Sequence, residues 1–266
     1  MSIITVKHGQ LEYLTAQGIG AKHCFTTRLG GVSTGVLESL NLGNYRGDPP
    51  ETVAENYRRL GEALGFDPGQ LVLTRQIHSD IVRTVTAEDR AGLDHRDYPE
   101  CDALITRDPG VGLMIFTADC TPILYHDPVT GAVGAAHAGW RGTALGIAEK
   151  TVREMVRVFG CDPANIRAAI GPNIAQCCFE TDRDVPDAMV EALGDAALPW
   201  IRQKGEKYYV NLKEINALFL RRAGVERIEI SEACTACQSH RFWSHRVTRG
   251  QRGSQGALII CEEASL

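Results

Sequence analysis

Residues 113–142 read LMIFTADCTPILYHDPVTGAVGAAHAGWRG, and this stretch decides the fold. An apolar run rich in β-formers leads to a second run at Ile123-Leu124-Tyr125. The chain turns at Asp127-Pro128-Val129-Thr130-Gly131 and returns through Ala132-Val133-Gly134-Ala135-Ala136, the pattern of a β-hairpin. With residues 127–131 as the turn, antiparallel pairing sets Thr121 against His137 and Cys120 against Ala138. Cys120 and His137 then meet at the open end, where opposed Cβ atoms lie about 5 Å apart, close enough for a thiolate and an imidazole to share one ion. Beyond His137, Ala138-Gly139-Trp140-Arg141-Gly142 is too small and glycine-rich to prolong a strand. It delivers the chain into a helix, so the Cys-His pair sits at a strand-to-helix junction.

Working outward from the hairpin, Leu145, Ala148, Val152, Met155, Val156 and Phe159 mark one helix face that stops at Gly160. Upstream, Asp48-Pro49-Pro50 signals a helix start. Val53, Tyr57, Leu60 and Leu64 make its buried stripe and Gly65 its end. Strands are expected over residues 3–7, 21–27, 103–106, 167–170 and 227–230, and helices over 184–193 and 211–223, the latter capped by Asn211 and stopped at Gly224. A strand begun by Leu71-Val72-Leu73 carries Gln76-Ile77-His78-Ser79, with Gln76 and His78 on one face. Residues 88–99 read as a surface loop, and the tail from Phe242 to Ile260 as a final hairpin. With no internal repeat and no linker-like stretch, residues 1–266 are read as a single domain of mixed α+β class.

Composition narrows the function. A formal net charge of −5 and a pI near 5.9 argue against general nucleic-acid binding, while local arginines leave small anions open. The N-terminus lacks the features of a signal peptide, and no run approaches membrane-spanning length. Nine cysteines, odd in number and scattered, do not read as a disulfide framework, which places the protein in a reducing cytoplasm. Cys177-Cys178 reads as a pair of small buried thiols. Cys234-Thr235-Ala236-Cys237 has the spacing of half a zinc site, but no second pair of that spacing exists, and it reads as structural. The segment Arg28-Leu29-Gly30-Gly31-Val32-Ser33 reads first as a surface loop; its glycines and Arg28 also suit an anion.

Taken together, these motifs resemble one family: the laccase-domain, multicopper-polyphenol-oxidase-like proteins, also described as zinc-centred bacterial purine nucleoside phosphorylases. The resemblance spans nearly the whole chain and rests on Phe25-Thr26-Thr27-Arg28, Ser39-Leu40-Asn41-Leu42-Gly43, Gln76-Ile77-His78, Thr117-Ala118-Asp119-Cys120 and His137-Ala138-Gly139-Trp140-Arg141-Gly142. Ile170-Gly171-Pro172 and Cys234–Cys237 also fit. The family often has Gly where this chain has Ser79, and Cys where it has Asn173.

The resemblance implies an α/β/β/α sandwich with mixed sheets and a metal site of His78, Cys120 and His137. Two imidazoles and a thiolate with an open fourth position suit Zn²⁺; copper is the competing ion. It further implies phosphorolysis of purine nucleosides such as adenosine, inosine and methylthioadenosine, together with adenosine deamination. Arg28 is the candidate for phosphate, Asn41 for ribose or base, and Arg141 for substrate or, more simply, for bracing the junction. Phe25, Phe179 and Phe242 suit a stack on the purine and a place in the core equally. Asp119, one residue before a ligand, is expected to play a supporting role. Three other functions compete: a copper-dependent polyphenol oxidase, a metal-free hydrolase with Cys120 as nucleophile and His137 as base, and a non-catalytic or peptidoglycan quality-control role. The oligomeric state is open.

Overall fold

The computed structural model describes residues 2–90, 93 and 98–262. Two six-stranded mixed sheets stack face to face. The first runs, edge to edge, through β1 (Ile3–His8), β2 (Leu11–Ala16), β3 (His23–Thr26), β15 (Gln255–Ile260), β7 (Gly112–Thr117) and β4 (Leu71–Val72). The second runs through β14 (Arg227–Ile230), β10 (Arg167–Ile170), β8 (Thr121–His126), β9 (Val133–Ala138), β6 (Ala103–Thr106) and β5 (Val82–Thr84). The pairs β4–β7, β10–β14 and β5–β6 are parallel, and the other pairs in these two sheets are antiparallel.

Strand alternation builds three apolar layers. Leu113, Ile115, Ala257 and Ile259 point from the first sheet toward Leu124, Val133, Ala135 and Ala169 of the second. Their neighbours point the other way: Met114 and Leu258 meet Val53, Tyr57 and Leu60 of α1 (Pro50–Leu64). Ile123, Tyr125, Ala136 and Ile170 lie in one cluster with residues of α3 (Ile147–Phe159) and α5 (Leu212–Arg222). The result is the α/β/β/α sandwich with mixed sheets. Because both sheets are covered on both faces, β8 and β9 are buried at every position. That explains a hairpin written almost wholly in apolar and small residues.

Several elements differ from their sequence reading. The hairpin turn takes six residues, closed by the Asp127 N–H on the Ala132 carbonyl, so Thr121 pairs with Ala138 and Pro122 with His137, one residue beyond the expected register. α1 starts from Pro49, because the Asp48 carboxylate accepts instead from Ser33 and Asn41. The helix after the hairpin is broken into α2 (Trp140–Ala144) and α3 at left-handed Gly146, and Leu145 is exposed. The tail is no hairpin: Ser244 caps the short α6 (His245–Thr248), and β15 enters the middle of the first sheet. Periodicity did not single out β2, nor the small sheet of β11 (Glu180–Thr181), β13 (Lys207–Val210) and β12 (Ile201–Lys204). α4 (Asp184–Leu193) and the Asn211-capped α5 form as expected. The surface-loop reading of residues 88–99 falls partly outside the described residues.

Candidate metal centre and its cavity

His78, Cys120 and His137 converge at the open end of the hairpin, with their ligand atoms all within 4.8 Å of one another. The Cys120 Sγ lies 3.8 Å from the His78 Nε2, and the two imidazoles meet edge to face with centroids 4.9 Å apart. Bonds of about 2.3 Å to sulfur and 2.0–2.1 Å to nitrogen at a tetrahedral angle span about 3.6 Å, so these donors suit one small divalent ion.

Different devices fix each donor. His137 is the next-to-last residue of β9 and is nearly fully buried. Cys120 immediately precedes β8, after Asp119 has turned the chain at a positive φ of 88°. His78 does not sit in a strand, because β4 ends at Val72 and the segment carrying His78 is irregular, with a φ of 62° at His78. Alternation therefore has no hold on where His78 points. Two side chains position it instead. Gln76 donates to the Phe116 carbonyl at 2.8 Å and accepts from the Phe116 N–H at 2.7 Å, stitching the segment to β7. Asp102, just before β6, accepts from the N–H groups of Ile77, His78 and Ser79 and from the Ser79 hydroxyl.

Asp102 also accepts from the His137 Nδ1 at 2.8 Å, which leaves Nε2 of that ring free to serve as a donor atom toward the cavity. Burial by itself would raise the Asp102 carboxyl, but the hydrogen bonds from His137 and Ser79 outweigh it and hold the pKa down at about 2. Burial likewise opposes charge on the other two groups. Nevertheless, the charge and hydrogen bonds of His137 and His78 lower the Cys120 thiol to about 6, while Cys120 and Asp102 raise His137 to about 9. The site thus holds its sulfur as thiolate at neutral pH, the form that binds metal. Asp102 escaped the sequence reading. Its only signal was a carboxylate at the head of an apolar strand.

The three donors line a cavity of about 360 Å³ whose wall also includes Tyr45, Arg46, Gln76, Tyr98, Phe116, Arg252 and Ser254. This volume is in the range of small-molecule pockets. Arg252 donates to the Gly253 carbonyl and the Ser254 hydroxyl, yet its Nε is buried with no hydrogen-bond partner among the described residues. Burial, and then the charge of neighbouring Arg46, lower the Arg252 pKa to about 10.

The other sequence candidates lie away from this cavity. Arg28 stacks on Trp243 at 3.9 Å and donates to the carbonyls of Glu38 and Ser239, so its guanidinium is occupied in holding loops together. The neighbouring glycines serve chain packing: a Cβ on Gly31 would lie 2.1 Å from the Ser39 carbonyl oxygen. Asn41 is fully buried, and its side-chain carbonyl accepts from the N–H groups of Gly43 and Ser254, which shapes the wall without reaching the interior. Arg141 is exposed and stacks on Trp140. Phe25 and Phe242 are core residues of the inter-sheet layer, and Phe179 packs beside the α3–α5 layer. Asp119 braces the junction as a supporting group, accepting from Thr235, Ser244 and the Arg246 N–H.

The chain matches the family model described as multi-copper polyphenol oxidoreductase laccase over residues 22–262. It is 41% identical over 247 residues to the purine nucleoside phosphorylase YlmD of Geobacillus stearothermophilus, covering 90% of each chain. A purine nucleoside phosphorylase of Deinococcus radiodurans is 39% identical, with 94% of this chain and 92% of that one aligned. The crystal structure of YlmD from Geobacillus stearothermophilus superposes with a TM-score of 0.92, at 38% identity, over 98% of this chain and 100% of that one.

Proposed function

The chain belongs to the multi-copper polyphenol oxidoreductase laccase family, and on that premise we propose that it is a metal-dependent purine nucleoside phosphorylase. Its substrates on this reading are adenosine, inosine and methylthioadenosine, with adenosine deamination in the same cavity. The carrying observation is the juxtaposition of the His78-Cys120-His137 donor set with two arginines, Arg46 and Arg252, in one cavity of nucleoside size. Two neighbouring guanidinium groups, one with a buried unpaired N–H, call for an anion. Phosphate meets that demand, so the role first given to Arg28 passes to Arg46 and Arg252.

His78, Cys120 and His137 would hold the metal, leaving a fourth position open toward the cavity. A bound zinc ion would supply Lewis acidity beside the reacting carbon. Copper fits the same donors less well as a redox centre, since the residues lining the cavity include no methionine to serve as a weak axial ligand. Asp102 keeps His137 in the ligating tautomer throughout. Phe116, Tyr45 and Tyr98 offer faces for the purine, and Arg46 with Arg252 would set phosphate beside C1′.

The test combines metal analysis of the purified protein with inosine cleavage assayed with and without phosphate. Zinc at the His78-Cys120-His137 centre and phosphate-dependent release of hypoxanthine, both lost in Cys120→Ala, are expected. Copper with oxygen consumption and no phosphate dependence would replace the reading with the oxidase. Arg252→Ala is expected to raise the KM for phosphate about tenfold or more while sparing adenosine deamination, since a charge-assisted hydrogen bond contributes about 1.5–3 kcal/mol. Arg28→Ala is expected to change both activities in equal proportion.

A further inference from the structure

Cys177, Cys178, Cys234 and Cys237, distant in sequence and expected to be separate packing thiols, come together in a second cluster whose sulfurs all lie within 4.8 Å. Cys177 is exposed and Cys178 half-buried, which corrects the reading of that pair as small buried thiols, and Cys237 is exposed as well. The missing second half of the Cys234–Cys237 site is the adjacent pair Cys177-Cys178, a spacing that a search for a repeated Cys-x-x-Cys passes over. We propose that these four residues form a tetrathiolate zinc site, separate from the His78-Cys120-His137 centre.

The geometry fits zinc. Cys177 and Cys178 are 3.7 Å apart at sulfur, Cys177 and Cys237 3.6 Å, and Cys178 and Cys237 3.3 Å. Zinc–sulfur bonds of about 2.3 Å set tetrahedral edges of about 3.8 Å, so a small adjustment closes the cage. The Cys234 sulfur accepts from the Ala175 N–H at 3.3 Å, a backbone donor aimed at a thiolate. Lys213, anchored on the carbonyls of Ser231 and Ala233, places a cation beside Cys234 and Cys177 and offsets part of the thiolate charge. Zinc entering this cage displaces the thiol protons to solvent, with no change of oxidation state.

With four protein ligands the site is closed, so its role is structural. It joins the segment after β10 to the segment after β14, already bridged by the Thr235 N–H on the Asn173 carbonyl. Thr235 in turn donates at 2.6 Å to Asp119, the residue preceding Cys120, and Arg246 links the Asp119 carboxylate to the Cys178 carbonyl. The cage braces the wall behind the first centre.

The experiment measures zinc by mass spectrometry in the wild-type protein, Cys120→Ala and the Cys177→Ser/Cys237→Ser double variant, all expressed with zinc and purified under reducing conditions. About one equivalent is expected to survive Cys120→Ala and to be lost from the double variant. Cobalt replacing zinc in Cys120→Ala is expected to give intense thiolate-to-cobalt charge-transfer absorption, a reading that does not require the double variant to fold. Zinc-free Cys120→Ala without that absorption would overturn the site, as would iron in its place. Non-reducing mass analysis showing the four cysteines joined as disulfides would overturn it too. Wild-type protein that holds zinc at the four cysteines and none at the first centre would sink the functional proposal and leave this one standing.

Discussion

Asp102 accepts five hydrogen bonds through its carboxylate, from Ile77, His78, both donors of Ser79, and His137. An amide there turns two donor hydrogens toward groups that are themselves donors. Asp102→Asn is therefore expected to release His78 and to misorient His137, weakening metal affinity 10–100-fold in a chelator competition titration. The metal-free protein carries a second residue-scale prediction. The Cys120 thiol lies at about 6, below its usual value, so its thiolate fraction rises from acid pH to a plateau above about 7. Cys120 alkylation, located by peptide mapping, should follow that curve, whereas burial raises the thiols of Cys24 and Cys101 and keeps them slow at neutral pH. A Cys120 profile still climbing above pH 8 would contradict the thiolate assignment. Chemistry-bearing residue types made Cys120 and His137 legible in the sequence, and the hairpin brought them together. Asp102, Arg46 and Arg252 had no such mark: they act through tertiary contacts with chain far away in sequence, and neither periodicity nor motif spacing encodes those contacts.

At the scale of elements, the centre depends on how closely the β9–α2 junction passes the His78 segment. Gly139 has an ordinary φ of −65°, so its backbone accepts any residue. A Cβ there would nevertheless lie 2.6 Å from the His78 Cδ2 and 3.4 Å from the Cys120 Sγ. Gly139→Ala is accordingly expected to push His78 aside and lower metal affinity at least tenfold, with thermal stability of the metal-free protein nearly unchanged. Metal-binding calorimetry and a melting curve in chelator read the two effects separately. An equal loss in both would mean that Gly139 serves the fold and not the site. This junction was legible as a break in strand pattern, since small residues cannot prolong a strand profitably. The segment carrying His78 was not: Leu71–Val82 has enough β-formers to suggest one continuous strand, while its actual conformation is imposed by the bonds of Gln76 to Phe116 of β7 in one sheet and by Asp102, just before β6 of the other.

For the whole molecule, the stacking of two covered sheets predicts how adjacent residues of one strand respond to truncation. Ile123 and Leu124 are neighbours in β8, and both are fully buried. Their side chains enter different layers: Leu124 the space between the sheets, Ile123 the layer shared with α3 and α5. In a sheet covered on one face only, one of the two would be solvated and cheap to shorten. Here Ile123→Ala and Leu124→Ala should each cost about 2–5 kcal/mol in denaturant unfolding, the range for buried aliphatic truncations. Val129→Ala, at the exposed hairpin tip, should stay within about 0.5 kcal/mol. Because the two core truncations act in separate layers on opposite faces of the strand, their double variant tests the independence of those layers. Near-additive costs fit two cores divided by one sheet, and a large coupling energy would mean that the faces repack as one. A small effect at either position would remove the layer on that side.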